Sequence, residues 1–285
     1  MKILFAILLF AFIPLSQADI SKGDITKTEK TNQKIRIISL APHLTEMLYS
    51  AGAGDLIVGA VNYSDYPAKA KKIPLVGSYN EINIEQVIEL KPSLIIAWKS
   101  GNTPQDILRL KKLGYNVWQT EVLKLTDIAL QIQQIGEKTN RQATANKVAQ
   151  QLQEILKKTK KHYKTINKSQ VFYQVWDKPL YTIGKNQFIT QAIELCGANN
   201  VFGKINQLAP QVSSEAVIKQ NPDIIILGGT TERQKIWQQH WQQYPTISAV
   251  KNDQIIKVDS SVYQRPTERF IKAIPRLCER IHRRY

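Results

Sequence analysis

Asn83–Ser100 reads NIEQVIELKPSLIIAWKS, and Ser213–Thr230 reads SSEAVIKQNPDIIILGGT. Aligned without a gap, the two stretches share Glu85 with Glu215, Val87 with Val217, Ile88 with Ile218 and Pro92 with Pro222. Ile95–Ile96 then fall on Ile225–Ile226. Each copy parses the same way. A capping Asn or Ser opens a short helix, with Glu in the first turn where the helix dipole favours an anion. The helix stops before a proline, which biases its predecessor away from right-handed helical angles. A wholly apolar strand follows, the pattern of a parallel strand buried on both faces. Such a strand cannot cover both its faces alone, so each copy implies an α/β lobe of its own.

The expected fold class is therefore α/β: two lobes with mostly parallel central sheets and a ligand cleft between them. Residues 34–122 make the first lobe and 169–285 the second. Between them, residues 123–168 read as helix throughout, with Ile128, Ile132 and Ile135 at helical spacing behind a Thr126 cap. After a break near Gly136–Asn140, Val148, Leu152 and Ile155 continue the pattern, so this connection is expected to be a single long rigid bridging helix. Residues 1–18 stand apart as a cleaved signal peptide. Lys2 precedes an apolar run, Ile3–Leu15, and Ser16-Gln17-Ala18 closes it with a small-x-small site. Residues 20–33 form a polar lead-in. No later apolar segment reaches the roughly 20 residues needed to span a bilayer. The mature chain is expected to be exported and soluble.

Charge is the unusual feature of the composition, with 39 Lys+Arg against 23 Asp+Glu. A basic surface suits nucleic acid, anionic membrane or an acidic ligand, and it also serves plain solvation. The densest run, Lys157 to Lys168, lacks interleaved aromatics beyond Tyr163 and reads as a solvated helix face. The two cysteines, Cys196 and Cys278, suit an oxidising compartment as a disulfide, with a pair of buried thiols as the alternative.

Open parallel sheets bind ligands beyond the carboxyl ends of their strands. In the first lobe those ends offer Tyr63, Tyr66, Tyr79 and Trp98 with Lys99 and Asn102. In the second they offer Trp176 to Tyr181, Gly228-Gly229 and Ser260 to Arg265. A collection rich in rings and amides suits a large, partly flat organic ligand. Hydrolase elbows, zinc-protease motifs and phosphate loops are absent from the sequence. Among the 4 histidines only His43, just after the first strand, is placed to face a cleft. It reads as a capping or rim residue, with cobalt or iron ligation as the alternative.

From Lys34 onward the chain resembles the periplasmic cobalamin (vitamin B12)-binding branch of the helix-bridged metal-chelate receptors that serve ABC importers. The resemblance rests on Tyr63-Ser64-Asp65-Tyr66-Pro67, Leu90-Lys91-Pro92, Ala97-Trp98, Gly101-Asn102, Cys196-Gly197 and Pro210-Gln211-Val212-Ser213, with Cys278 in the terminal helix. It implies a periplasmic solute-binding protein, not an enzyme, whose ligand is cobalamin and which holds no cofactor of its own. The ligand contacts it implies are Tyr63, Tyr79, Trp98, Tyr181 and the segment Ser261, Val262, Tyr263, Gln264, Arg265. It also implies a Cys196–Cys278 disulfide, no protein-bound metal, and Glu85 and Glu215 as carboxylates that dock on the permease subunits. The free protein is expected to be a monomer with no nucleic-acid partner. Some positions depart from the cobalamin pattern: Ala209 and Tyr79 stand where tryptophans are expected, and Ser261-Val262 replace an acid and a tryptophan. Haem or a ferric siderophore is therefore carried as the alternative ligand, and binding to nucleic acid or an anionic surface as the third reading.

Overall fold

The computed structural model describes residues 35–164 and 168–283. The expected leader, residues 1–18, lies outside the described residues. The first lobe runs β1 (Ile37–Ser39), α1 (Pro42–Ser50), β2 (Ile57–Ala60), the short antiparallel pair β3 (Gly77–Ser78) and β4 (Glu81–Ile82), then α2 (Ile84–Glu89), β5 (Leu94–Trp98), α3 (Pro104–Lys112) and β6 (Val117–Thr120). Its sheet is parallel in the order β2-β1-β5-β6. Two helices follow, α4 (Leu125–Thr139) and α5 (Gln142–His162).

The second lobe opens with β7 (Gln170–Gln174) and the hairpin of β8 (Trp176–Asp177) and β9 (Leu180–Tyr181). It continues through α6 (Phe188–Leu195), β10 (Asn199–Asn200), α7 (Ser214–Gln220) and β11 (Ile224–Leu227). The chain closes with α8 (Thr231–Gln242), α9 (Ser248–Lys251), β12 (Ile255–Lys257), α10 (Ser260–Tyr263) and α11 (Glu268–His282). The second sheet is also parallel, in the order β10-β7-β11-β12. The repeat strands β5 and β11 thus take the same place, third in a sheet of four.

The duplication extends to single residues. Asn83 Oδ1 accepts the Gln86 N–H at 3.0 Å and Ser213 Oγ accepts the Ala216 N–H at 3.2 Å, each capping its helix. At the other end Lys91 and Asn221, both just before the proline, turn left-handed at φ 44° and 43°. One residue beyond each proline, Ser93 and Asp223 accept a backbone N–H at the start of their lobe's lead strand, from Arg36 just before β1 and from Gln170, the first residue of β7.

The connection between the lobes corrects the expectation of one unbroken helix over residues 123–168. Asn140 adopts φ 56°, ψ 40° and ends α4, and Arg141 starts the chain back as α5. Left-handed geometry at an Asn is the ordinary way to stop a helix. The two helices pack side by side, with Gly136 seated against Ala145 and Gln133 Nε2 donating to Asn146 Oδ1 at 3.2 Å. The long crossing helix is therefore α5 alone, at 21 residues. Asp127, accepting the Leu123 and Lys124 amides, caps α4 in place of the expected Thr126.

Arg141 anchors the start of α5 to Gly52 O and Asp55 in the first lobe. Tyr163, at its far end, stacks on His282 of α11. One apolar cluster runs through all of this, taking in Ile37 and Ile96, Ile132, Leu152, Ile226 and Leu277. Cys196 and Cys278 are joined, tying the end of α6 to α11 with a Cα–Cα distance of 4.8 Å. No helix among the described residues is long and apolar enough to cross a membrane.

Candidate functional site

Between the lobes lies a cleft of ≈ 670 Å³. Its first-lobe wall is the carboxyl end of β1 and β5. Trp98, the last residue of β5, points its indole Nε1 at Glu121 Oε1, 2.9 Å away, while Ser100 N–H donates to Glu121 Oε2 at 2.9 Å. Gly101 lies so close beneath the indole that a Cβ there would run into the ring. Asn102 is the clamp. Its Oδ1 accepts the Trp98 N–H at 2.6 Å, and its Nδ2 donates to Leu40 O at 2.8 Å and Tyr79 O at 2.6 Å. One buried amide thus pins the ends of two strands and the Tyr79 loop. Tyr79 lies 6.0 Å from Trp98 by ring centroids, and His43 meets the same indole edge-on at 5.2 Å. Tyr63 stands 75% exposed at the cleft mouth.

The second-lobe wall comes from the start of α6 (Asn186, Gln187, Phe188), from Leu208 and Thr230, and from α10 with the residues after it. Two arginines stand here. Arg265 Nη1 donates to Glu46 Oε1 at 3.0 Å and to Asp65 Oδ1 at 2.6 Å. Arg269 grips both oxygens of Glu46, at 2.8 and 2.6 Å, donates to Ser261 O, and lies 3.9 Å over the Tyr66 ring. Glu46 and Asp65 belong to the first lobe, so this cluster bolts the lobes together beside the cleft. Burial alone would raise the Asp65 pKa, but the hydrogen bond and charge of Arg265 outweigh it and hold the carboxyl below its usual range. Arg265 is raised in turn: burial works against its charge, and the Asp65 and Glu46 carboxylates overcome that.

Of the expected ligand contacts, Tyr63, Tyr79, Trp98, Ser261, Gln264 and Arg265 line this cleft. Tyr181, Val262 and Tyr263 do not. Tyr181 pairs with Trp176 across the β8–β9 hairpin and bridges to Gln211. The segment expected to meet the ligand as a loop begins as helix α10, and helical spacing sends its side chains two ways. Ser261, Gln264 and Arg265 share the cleft side. Tyr263 turns into the core, its hydroxyl donating to Ala273 O at 3.2 Å, and Val262 packs beside it. Arg265 lines the cleft while engaged by two carboxylates of the first lobe.

Glu121, the start of α6 and Leu208 were not foreseen. Glu121 directly follows β6, so the strand-end rule that found Trp98 reaches it too. Asn186–Phe188 carry no such signal, because a helix start says nothing of which way it faces. Glu85 and Glu215 are both exposed, each in the first turn of its repeat helix. A further cavity of ≈ 710 Å³ lies between the start of α4 and the ends of α5 and α6, rimmed by Lys157, Lys160, Lys164 and Lys168. Its aromatic, Tyr163, is 8% exposed and already stacked on His282.

Two parallel-sheet lobes, a long crossing helix and an aromatic cleft between them describe a class of extracytoplasmic receptors, and the chain belongs to the periplasmic binding protein family, whose pattern matches residues 37–262. The vitamin B12-binding protein of Vibrio cholerae is 34% identical over 245 residues, covering 85% of this chain and 87% of the relative. The crystal structure of the periplasmic vitamin B12-binding protein from the same species superposes with a TM-score of 0.79 at 33% identity, covering 86% and 96% of the two chains. A possible iron-binding periplasmic solute-binding protein from Staphylococcus epidermidis follows at TM-score 0.76 and 30% identity, covering 87% and 98%.

Proposed function

We propose that the protein captures cobalamin in the inter-lobe cleft and hands it to the permease of an inner-membrane ABC importer. The observation that carries this reading is the cleft itself: rings and amides from both lobes converge on a space too wide for a small metabolite. Trp98 and Tyr79 offer flat apolar faces, with Tyr63 at the mouth, while Ser261, Gln264 and the Asn186–Gln187 pair supply polar groups for the ligand's amide fringe. Similarity to proteins named for vitamin B12 binding supports the choice of ligand. The role is capture, with no chemical conversion of the cargo, and the protein acts as an exported periplasmic monomer after removal of residues 1–18. Glu85 and Glu215, placed alike on two lobes built to one plan, offer a two-fold permease a matching pair of carboxylates.

A ferric chelate, siderophore or haem, is the second reading, favoured by the 30% identity to the possible iron-binding protein. Calorimetric titration of the mature protein with cyanocobalamin, with haemin run in parallel, decides between them. One-to-one binding of cyanocobalamin that weakens at least tenfold in Trp98→Ala, a loss of about 1.4 kcal/mol, supports the proposal. A folded protein that takes haemin and ignores cyanocobalamin overturns it in favour of the ferric chelate.

A further inference from the structure

Among the described residues, His43 is the one polar side chain of the cleft that is deeply buried and unpaired. It follows Pro42 in the first turn of α1, is 7% exposed and borders the cleft. A buried imidazole ordinarily pairs at least one ring nitrogen. The described histidine ring nitrogens with hydrogen-bond partners are those of His240 and His282, not of His43. Nor are its nitrogens walled in, because the enclosed unpartnered polar atoms belong to Gln131, Tyr173, Trp237 and Thr267. A neutral imidazole carries one N–H and one bare nitrogen, and here the ring that holds them borders the cleft. Burial first, and then the positive charge of Arg265, lower the His43 pKa to about 3, so the ring stays neutral, with one nitrogen bare, at any physiological pH.

The carboxylates of the cleft are engaged by the protein itself. Asp65 Oδ1 is held by Arg265, and both oxygens of Glu121 are held by Trp98 and Ser100. The phenols of Tyr63 and Tyr79 would have to lose a proton to bind a metal. A neutral imidazole needs no such loss and is a good donor to a first-row transition ion. The indole of Trp98, edge-on at 5.2 Å, limits how the ring can turn. We propose that His43 takes an exchangeable axial position on the cobalt of the bound corrinoid. The step is a ligand exchange: the bond from Co(III) to a bound water breaks, a ring-nitrogen lone pair forms the new bond, and the water leaves. Cobalt keeps its oxidation state and no proton moves.

This inference rests on the cobalamin reading, and its test separates the two. Diaquocobinamide, whose two axial waters both exchange, is mixed with the mature protein and its visible spectrum recorded. The same sample is titrated with cyanocobalamin. The expected result is a shift of the bound cobinamide from a water-ligated to an imidazole-ligated spectrum, and loss of that shift in His43→Gln. If the wild type binds cyanocobalamin while bound cobinamide keeps its water-ligated spectrum, the inference falls and the cleft reading stands. An imidazole-type spectrum that persists in His43→Gln also overturns it. Failure of a folded wild type to bind either corrinoid removes both. Should His43→Gln fail to fold, the wild-type spectrum alone decides: water ligation of the bound cobinamide sinks the idea, and imidazole ligation upholds it.

Discussion

His43 also carries a stability signature that needs no ligand. Its pKa falls from an ordinary 6.5 in the unfolded chain to about 3 in the fold, through burial and then the charge of Arg265. The unfolded chain therefore takes up a proton, as pH falls below 6.5, that the folded chain refuses. The stabilising contribution is complete above the unfolded pKa and is lost as pH falls toward the folded one. Each pH unit in that window costs about 1.4 kcal/mol, so the wild type should lose about 2 kcal/mol between pH 7 and pH 5 from this residue. Urea unfolding at the two pH values should show that loss, and His43→Gln should lack it. Equal acid sensitivity of both proteins would mean the imidazole is solvated in the fold.

At the level of elements, the repeated helix–proline–strand unit was readable because each of its parts obeys a local rule. Caps at Asn83 and Ser213, a stop before Pro92 and Pro222, and apolar strands depend on neighbours in sequence, and the structure keeps all of them. What sequence could not supply was orientation. The turn at Asn140 folds α4 back against α5, and whether a break in a periodic stretch kinks a helix or reverses it depends on packing partners far along the chain. The same gap misplaced Val262 and Tyr263, since five consecutive residues cannot all face one side once they coil. The paired stops make a prediction of their own. Lys91 holds φ 44° with no reward from its side chain, a position that costs an L-residue roughly 1 kcal/mol and glycine little. Lys91→Gly should raise the unfolding free energy by roughly that amount. Asn221→Gly should give no gain: asparagine tolerates this region, and its Oδ1 accepts the Ser248 N–H at 2.8 Å. A loss of stability in Lys91→Gly would show that helix-end strain is not what limits the first repeat.

For the whole molecule, the question is how far the lobes can part. Residues of both sheets share one apolar cluster with α4, α5 and α11, and Glu46 of the first lobe lies between Arg265 and Arg269 of the second. Glu46 is 3% exposed by side chain, so removing its charge leaves the mostly buried Arg269 guanidinium without its carboxylate and Arg265 with Asp65 alone. Glu46→Gln should destabilise the protein by roughly 3–5 kcal/mol, the cost of breaking a buried pair from one side, and denaturant unfolding would show it. A loss below about 1 kcal/mol would mean water already screens the cluster and the lobes are free to open.

If they are not, cargo must enter and leave an almost fixed cleft, and on the proposed function delivery would fall to a permease that prises the lobes apart. The docking role proposed for Glu85 and Glu215 belongs to this scale: they set one exposed carboxylate on each lobe. Charge reversal at the two together, Glu85→Lys with Glu215→Lys, should abolish cobalamin uptake by whole cells while soluble binding stays at the wild-type level. Each change sits in a helix first turn, where losing the favourable placement of an anion costs no more than about 1 kcal/mol, too little to unfold a lobe. Retained uptake would strip both residues of a docking role. Loss of uptake and of binding together would place them in the capture step, contrary to their position outside the cleft lining.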